Sequence, residues 1–165
     1  MIKVRKIVLA GLFLAVSVIL PITFGHLSGI PGTVFLPMHF GVLLCGFFVG
    51  GPFGMLCGML APLLSRLFTP MPSLFPMLPI MFFELAVYGL VSGLMYSKTK
   101  KIYVSLITAM IAGRIMYAVV FYFMLLVLNL KVPATVGVIP AVITGWPGMA
   151  AQLILVPLVV QVSKS

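Results

Sequence analysis

Residues 102–128 read IYVSLITAMIAGRIMYAVVFYFMLLVL, twenty-seven residues interrupted by one charge, Arg114. As a helix rising ~1.5 Å per residue this run is about 40 Å long, more than enough to cross a hydrocarbon core of ~30 Å. It has no polar face to turn towards water, so its solvent is lipid or the inside of a bundle. The rest of the chain has the same character. With 63% hydrophobic and 7% charged residues, ten bases and one acid cannot furnish the surface of a soluble 165-residue domain. The expected fold is all-α: a single transmembrane domain, 1–165, forming an integral membrane bundle of six helices.

On the N-terminal side of that run, Ser97 to Lys101 form a short charged turn, preceded by an apolar span over roughly 74–96. Before it, Thr69-Pro70-Met71-Pro72-Ser73 resists helix and ends a span that reaches about Leu67. That span opens at Gly50-Gly51-Pro52, a tight turn with proline placed to start a helix, and a span over 36–49 precedes the turn. The first span covers roughly 6–23. Its basic start and apolar run imitate a signal peptide, but Pro21, Gly25 and His26 follow where a small-x-small cleavage site would stand, so it reads as a retained helix. After residue 128, Pro133, Gly137 and Pro140 suggest a link holding a short interfacial helix, and the sixth span is expected from Trp146-Pro147 to Val162.

The net charge of +9 fits a topology more simply than a nucleic-acid partner, because no polybasic stripe interleaved with aromatics exists. With the N-terminus inside, Lys3, Arg5, Lys6, Lys98, Lys100, Lys101 and Lys164 are cytoplasmic, and Lys131 alone falls in an outer loop. Both termini are then cytoplasmic, and the loops 24–35, 68–73 and 129–145 face outward. Gly29, Pro31, Gly32, Pro70 and Pro72 suit an outer lid that is shaped yet able to move. Cys45 and Cys57 read as small buried hydrophobes, with neither a disulfide framework nor a metal spacing.

Small residues four apart (Gly46 and Gly50, Gly54 and Gly58, Gly89 and Gly93, Ala109 and Gly113) let helix backbones approach closely, a packing signal without function of its own. Polar residues inside spans carry more information, because a charge in a bilayer is costly. Three charges remain there: Arg66, Glu84 and Arg114. Glu84 lies twelve residues from Tyr96 and Arg114 twelve residues from Ile102, so both stand ~18 Å from the same boundary. Opposite charges at matched depth on consecutive antiparallel helices imply an ion pair, serving as a clamp or as part of a site. Arg66, near the outer end of its span, either snorkels or awaits an anion, since Glu84 is the one acid in the chain. Gln152 falls at similar depth, ~15 Å from Val162 by helix rise. His39 is expected at the outer mouth of the second span. Tyr88, Tyr117, Tyr122 and Trp146 line a pocket or form an interfacial belt. Counting two arginines against one glutamate leaves a positive surplus that favours an anionic ligand.

No aspartate occurs, nor any GxxxxGK[ST] loop, HExxH or nucleophile elbow, so neither an enzyme using paired carboxylates nor a metal or cofactor site is expected. One intramembrane acid is also little for an ion-coupled pump. A small membrane protein with an outward pocket and no engine suggests a binding subunit that borrows one.

Several stretches, in this order, resemble one family: LPMHFGVLLCGFFVGGP from Leu36, LAPLLSR from Leu60, Met71-Pro72, FELAVYGLVSGL from Phe83, Ala112-Gly113-Arg114, and Gly145-Trp146-Pro147-Gly148 with Gln152. The chain is similar over nearly its whole length to the substrate-binding S components of energy-coupling factor (ECF) vitamin importers. The resemblance implies a subunit of a prokaryotic cell membrane that captures a vitamin at high affinity. It then docks on a transmembrane coupling protein driven by two cytoplasmic ATPases. It also implies a docking face on the first helix, where Gly11 and Ala15 match the family's small residues and Ile7 stands where alanine is expected. The substrate-binding set expected here is Arg66, Arg114, Glu84, His39, Gln152, Tyr88 and Trp146. Pantothenate is the expected ligand, with pyridoxine, a thiamin-precursor pyrimidine or a corrinoid as alternatives. The contrasting readings are a self-contained small transporter or channel, and a purely structural assembly protein.

Overall fold

The computed structural model describes residues 2–28, 37–69, 71–127 and 137–163. Among these the chain forms six helices and no strand: α1 Ile2–Ser28, α2 Pro37–Val49, α3 Gly51–Phe68, α4 Met77–Thr99, α5 Ile102–Val127 and α6 Val138–Val162. Five are long and apolar enough to cross a membrane; α2, at 13 residues, is shorter. By helix rise α2 is only about 20 Å long, so the six expected spans become five full spans and one partial helix. Outward-facing apolar side chains such as Leu12, Ile115 and Ile154 suit a surface bathed in lipid.

The centre of the bundle is a block of α2, α3 and α4. Gly50 has φ 112°, a conformation other residues rarely adopt, and turns the chain so that α3 starts with proline in its first turn. α3 and α4 then run backbone to backbone. A Cβ added at Gly54 would strike the Gly89 carbonyl, and one at Gly89 would strike Gly54, so neither position admits a side chain. α1 leans on this block through Phe13, whose ring stacks on Phe48 at 5.5 Å, and through buried Ser17 and Val18.

α5 packs along α4, and α6 packs more loosely on α5 and α2. Leu43, Ala61, Leu85, Leu106, Ala109 and Val156 belong to the larger core, and Ile80, Tyr117, Val120, Phe121 and Met124 form a second cluster. Three boundaries differ from the sequence reading. α1 continues through Pro21 to Ser28, α4 begins at Met77, and α6 begins at Val138, eight residues before Trp146. In α6, Val138 and Ala141 pack on the second cluster. That burial carries the helix through Gly145-Trp146-Pro147, and Pro140 falls in the first turn, where proline is tolerated. The expected separate interfacial helix is thus the first part of α6. Gly29, Pro31, Gly32, Pro70, Lys131 and Pro133 lie outside the described residues.

Candidate functional site

Ile80, Glu84 and Tyr88 succeed one another at four-residue spacing on α4, which puts all three on the face that turns inward; each is buried. Met110, Gly113, Tyr117 and Phe121 form the matching buried stripe of α5, with Arg114 beside it. Gly113 is required there, because a Cβ at this position would land on the Tyr88 ring.

Glu84 and Arg114 meet as their depths imply: Arg114 Nη1 lies 3.1 Å from Glu84 Oε1. The Glu84 side chain is 3% exposed and that of Arg114 15% exposed. His39 joins them from α2, with Nε2 3.8 Å from the same oxygen and its ring edge-on to Tyr88 at 4.9 Å. Sequence arithmetic put His39 at an outer mouth. It sits beside Glu84: ten residues separate it from Val49, so it stands ~15 Å above that end of the helix, close to the depth of Glu84 on α4.

These groups are poorly satisfied by one another. Both ring nitrogens of His39, the Tyr88 hydroxyl, and Nε and Nη2 of Arg114 are buried with no well-aligned hydrogen-bond partner in the chain. The Tyr88 hydroxyl is close enough to Arg114 to interact, but not in hydrogen-bond alignment. An orphaned buried polar group costs about 1–3 kcal/mol, so this cluster is expensive as a stability device and apt as a binding one.

Beside Arg114 a groove of about 410 Å³ runs between α5 and α6, lined by Met110, Ile111, Arg114, Ile115, Ala118, Val142 and Met149. Sequence reading found no part of it except Arg114, because apolar residues of a lipid-facing wall and of a ligand groove are the same types. Gln152 is buried on α6 and engaged within the chain. Arg66, in the last turn of α3, is likewise engaged, which removes the premise of a lone cation awaiting an anion. Trp146 is 61% exposed and Tyr122 54% exposed, whereas Tyr117 is buried and stacks on Phe121. The polar cluster thus gathers Glu84, Arg114, His39 and Tyr88 and leaves Trp146 on the outside.

Among the described residues no group of three or more His, Cys, Asp or Glu could hold a metal, and Cys45 and Cys57 are buried free thiols. α1 presents an open face. Gly11 and Ala15 are exposed, nothing lies within 4 Å of where a Gly11 Cβ would stand, and Ile7, Leu12 and Ile19 flank them.

Neither a curated protein nor a solved structure matches the chain. A sequence model of one family does, described as "ECF transporter, substrate-specific component", over residues 5–160. That match spans all six helices, the polar cluster and the open face of α1, and the chain therefore belongs to the family of substrate-specific components of ECF transporters.

Proposed function

We propose that this chain is the high-affinity binding subunit of an ECF-type importer for a vitamin or related micronutrient, acting as one transmembrane domain. The ligand is captured from outside, and the loaded subunit passes it on by docking through α1 on a coupling protein energised by two ATPases. The distribution of Lys and Arg supports a topology with both termini cytoplasmic, in the cell membrane of a prokaryote. The observation that carries the binding role is the buried cluster of His39, Glu84, Tyr88 and Arg114, whose polar atoms outnumber the partners they find in one another. Most of the orphaned atoms are donors or can become donors, which supports a ligand bearing a carboxylate, as pantothenate does. The charge argument for such a ligand is altered, since Glu84 already balances Arg114 within the cluster. The surplus is one of hydrogen-bond donors. Gln152 and Arg66 are secondary candidates for contact, and Trp146 reaches ligand only if α6 turns.

The test is purification from cells in mild detergent, followed by mass spectrometry of the small molecules released on denaturation. A stoichiometric small carboxylate is expected. A released ligand lacking any acidic group would overturn the carboxylate assignment, and empty protein that binds no micronutrient in titration would overturn the binding role itself.

A further inference from the structure

Lys98, Lys100 and Lys101, all exposed, stand together at the turn between α4 and α5. The turn is held from both sides. Lys100 takes a left-handed conformation (φ 56°) that closes α4, its N–H donating to the Tyr96 carbonyl at 3.0 Å. The Thr99 hydroxyl donates to the Met95 carbonyl at 2.8 Å and accepts the Lys101 N–H at 3.3 Å. From α5 the Ser105 hydroxyl donates to the Lys101 carbonyl at 2.8 Å. The Lys100 ammonium lies 5.9 Å from the centre of the Tyr96 ring. A fixed loop therefore presents three cations at one place. The chain's one acidic side chain, Glu84, is buried ~18 Å away along α4 and does not answer them.

An apolar track leads from this turn along α5. Tyr103, Ile107, Ile111 and Ile115 follow at four-residue spacing, each about half exposed. Ile111 and Ile115 also stand in the wall of the groove between α5 and α6. The lining surface of that groove is wholly apolar; Arg114 contributes its hydrocarbon stem, since its Nε and Nη2 are buried. The lengths match a lipid. One leaflet of a hydrocarbon core of ~30 Å is about 15 Å deep. Ile111 stands about 14 Å along the helix from Ile102. An acyl chain that starts at the turn thus ends where the groove begins.

We propose that the α4–α5 turn and the outer face of α5 form a site for one anionic phospholipid. Its phosphate lies among Lys98, Lys100 and Lys101, and one acyl chain runs along Tyr103, Ile107 and Ile111 to the mouth of the groove. Tyr103, with an apolar ring and a polar tip, sits at headgroup level, where such side chains collect. Basic loops attract anionic lipid diffusely; the braced turn and the track beneath it confine that attraction to one place. A free phosphate or an acidic protein surface would use the lysines and leave the track unexplained. The site is separate from the polar cluster, and its occupancy does not depend on which substrate the cluster takes.

The experiment is native mass spectrometry of the full chain in mild detergent. The probes are dipalmitoyl phosphatidylglycerol, dipalmitoyl phosphatidylcholine and glycerol 3-phosphate. One phosphatidylglycerol per chain should bind at least tenfold more tightly than either of the others. Lys98→Gln/Lys100→Gln/Lys101→Gln should remove the preference over phosphatidylcholine, and changing the same three residues to arginine should keep it. Arg5→Gln/Lys6→Gln, which takes two exposed charges from α1, should alter it less than twofold. Ile111→Trp, which fills the mouth of the groove, should weaken phosphatidylglycerol at least threefold. Equal binding of the two lipids by the wild type, or a loss in the α1 variant as large as in the lysine variant, would mean diffuse attraction and overturns the proposal. Glycerol 3-phosphate binding as tightly as the lipid, or lipid affinity untouched by Ile111→Trp, overturns it as well. A lysine-to-glutamine variant that keeps its lipid but no longer assembles with the coupling protein would make the turn a protein contact, and overturns it too.

Discussion

Glu84 is the chain's one acidic side chain, and it is placed where two basic ones reach the same oxygen. Removing either member of a buried ion pair strands the other, at a cost of about 3–5 kcal/mol, whereas replacing both with apolar residues is often close to neutral. Glu84→Leu and Arg114→Leu should therefore each lower thermal stability in detergent more than the double variant does. Additive losses in that cycle would show that the two charges do not couple. Gly113 makes a second prediction. A methyl group there meets the Tyr88 ring, so Gly113→Ala should cost about 1–3 kcal/mol by overpacking and weaken ligand binding as Tyr88 shifts. Gly11→Ala, made into open space, should leave stability unchanged and serves as the control. The Glu84–Arg114 pair was legible in the sequence, because helix rise converts residue counts into depth for any span with a defined end. His39 was placed at an outer mouth because it lies near the start of the 36–49 span, and its depth was not counted from Val49 as that of Glu84 was counted from Tyr96. For Arg66 the count of acids left two readings, snorkelling or an awaited anion, and its engagement within the chain was not legible in the sequence.

Among the elements, the central three were the most readable. Gly50-Gly51-Pro52 marks a turn that only a short list of residues can make, and glycines four apart mark the seam that α3 and α4 form. α6 was the least readable, since Trp146-Pro147 resembles a helix start while the packing that overrides it comes from Ile80 and Phe121, far away in the chain. The open face of α1 carries the third prediction. Gly11→Trp should leave ligand affinity within about twofold, because α1 contributes nothing to the polar cluster, yet abolish assembly with the coupling protein. Co-purification of the complex from cells expressing all subunits measures this. Normal assembly of the variant would move the docking surface to another helix.

As a whole, the described residues join a closely packed block to a loosely packed wall, and the single acidic side chain of the sequence is little for an ion-coupled pump. Proteoliposomes holding this chain alone should bind ligand and accumulate none. Accumulation should appear only when the coupling protein, both ATPases and ATP are present. Uptake by the isolated chain down a proton or sodium gradient would identify a secondary transporter instead.

The seam between α3 and α4 has a further consequence, for heritable change. Where two glycine backbones touch, almost every substitution is a collision, so this part of the sequence has little freedom to vary without losing the fold. The groove between α5 and α6 is walled by Ile, Met, Val and Ala side chains that can be exchanged one methyl group at a time. The wall formed by α5 and α6 can thus drift in sequence while the block, and the α1 face packed on it, stay as they are. On the proposed docking through α1, a new cargo then needs no new docking surface.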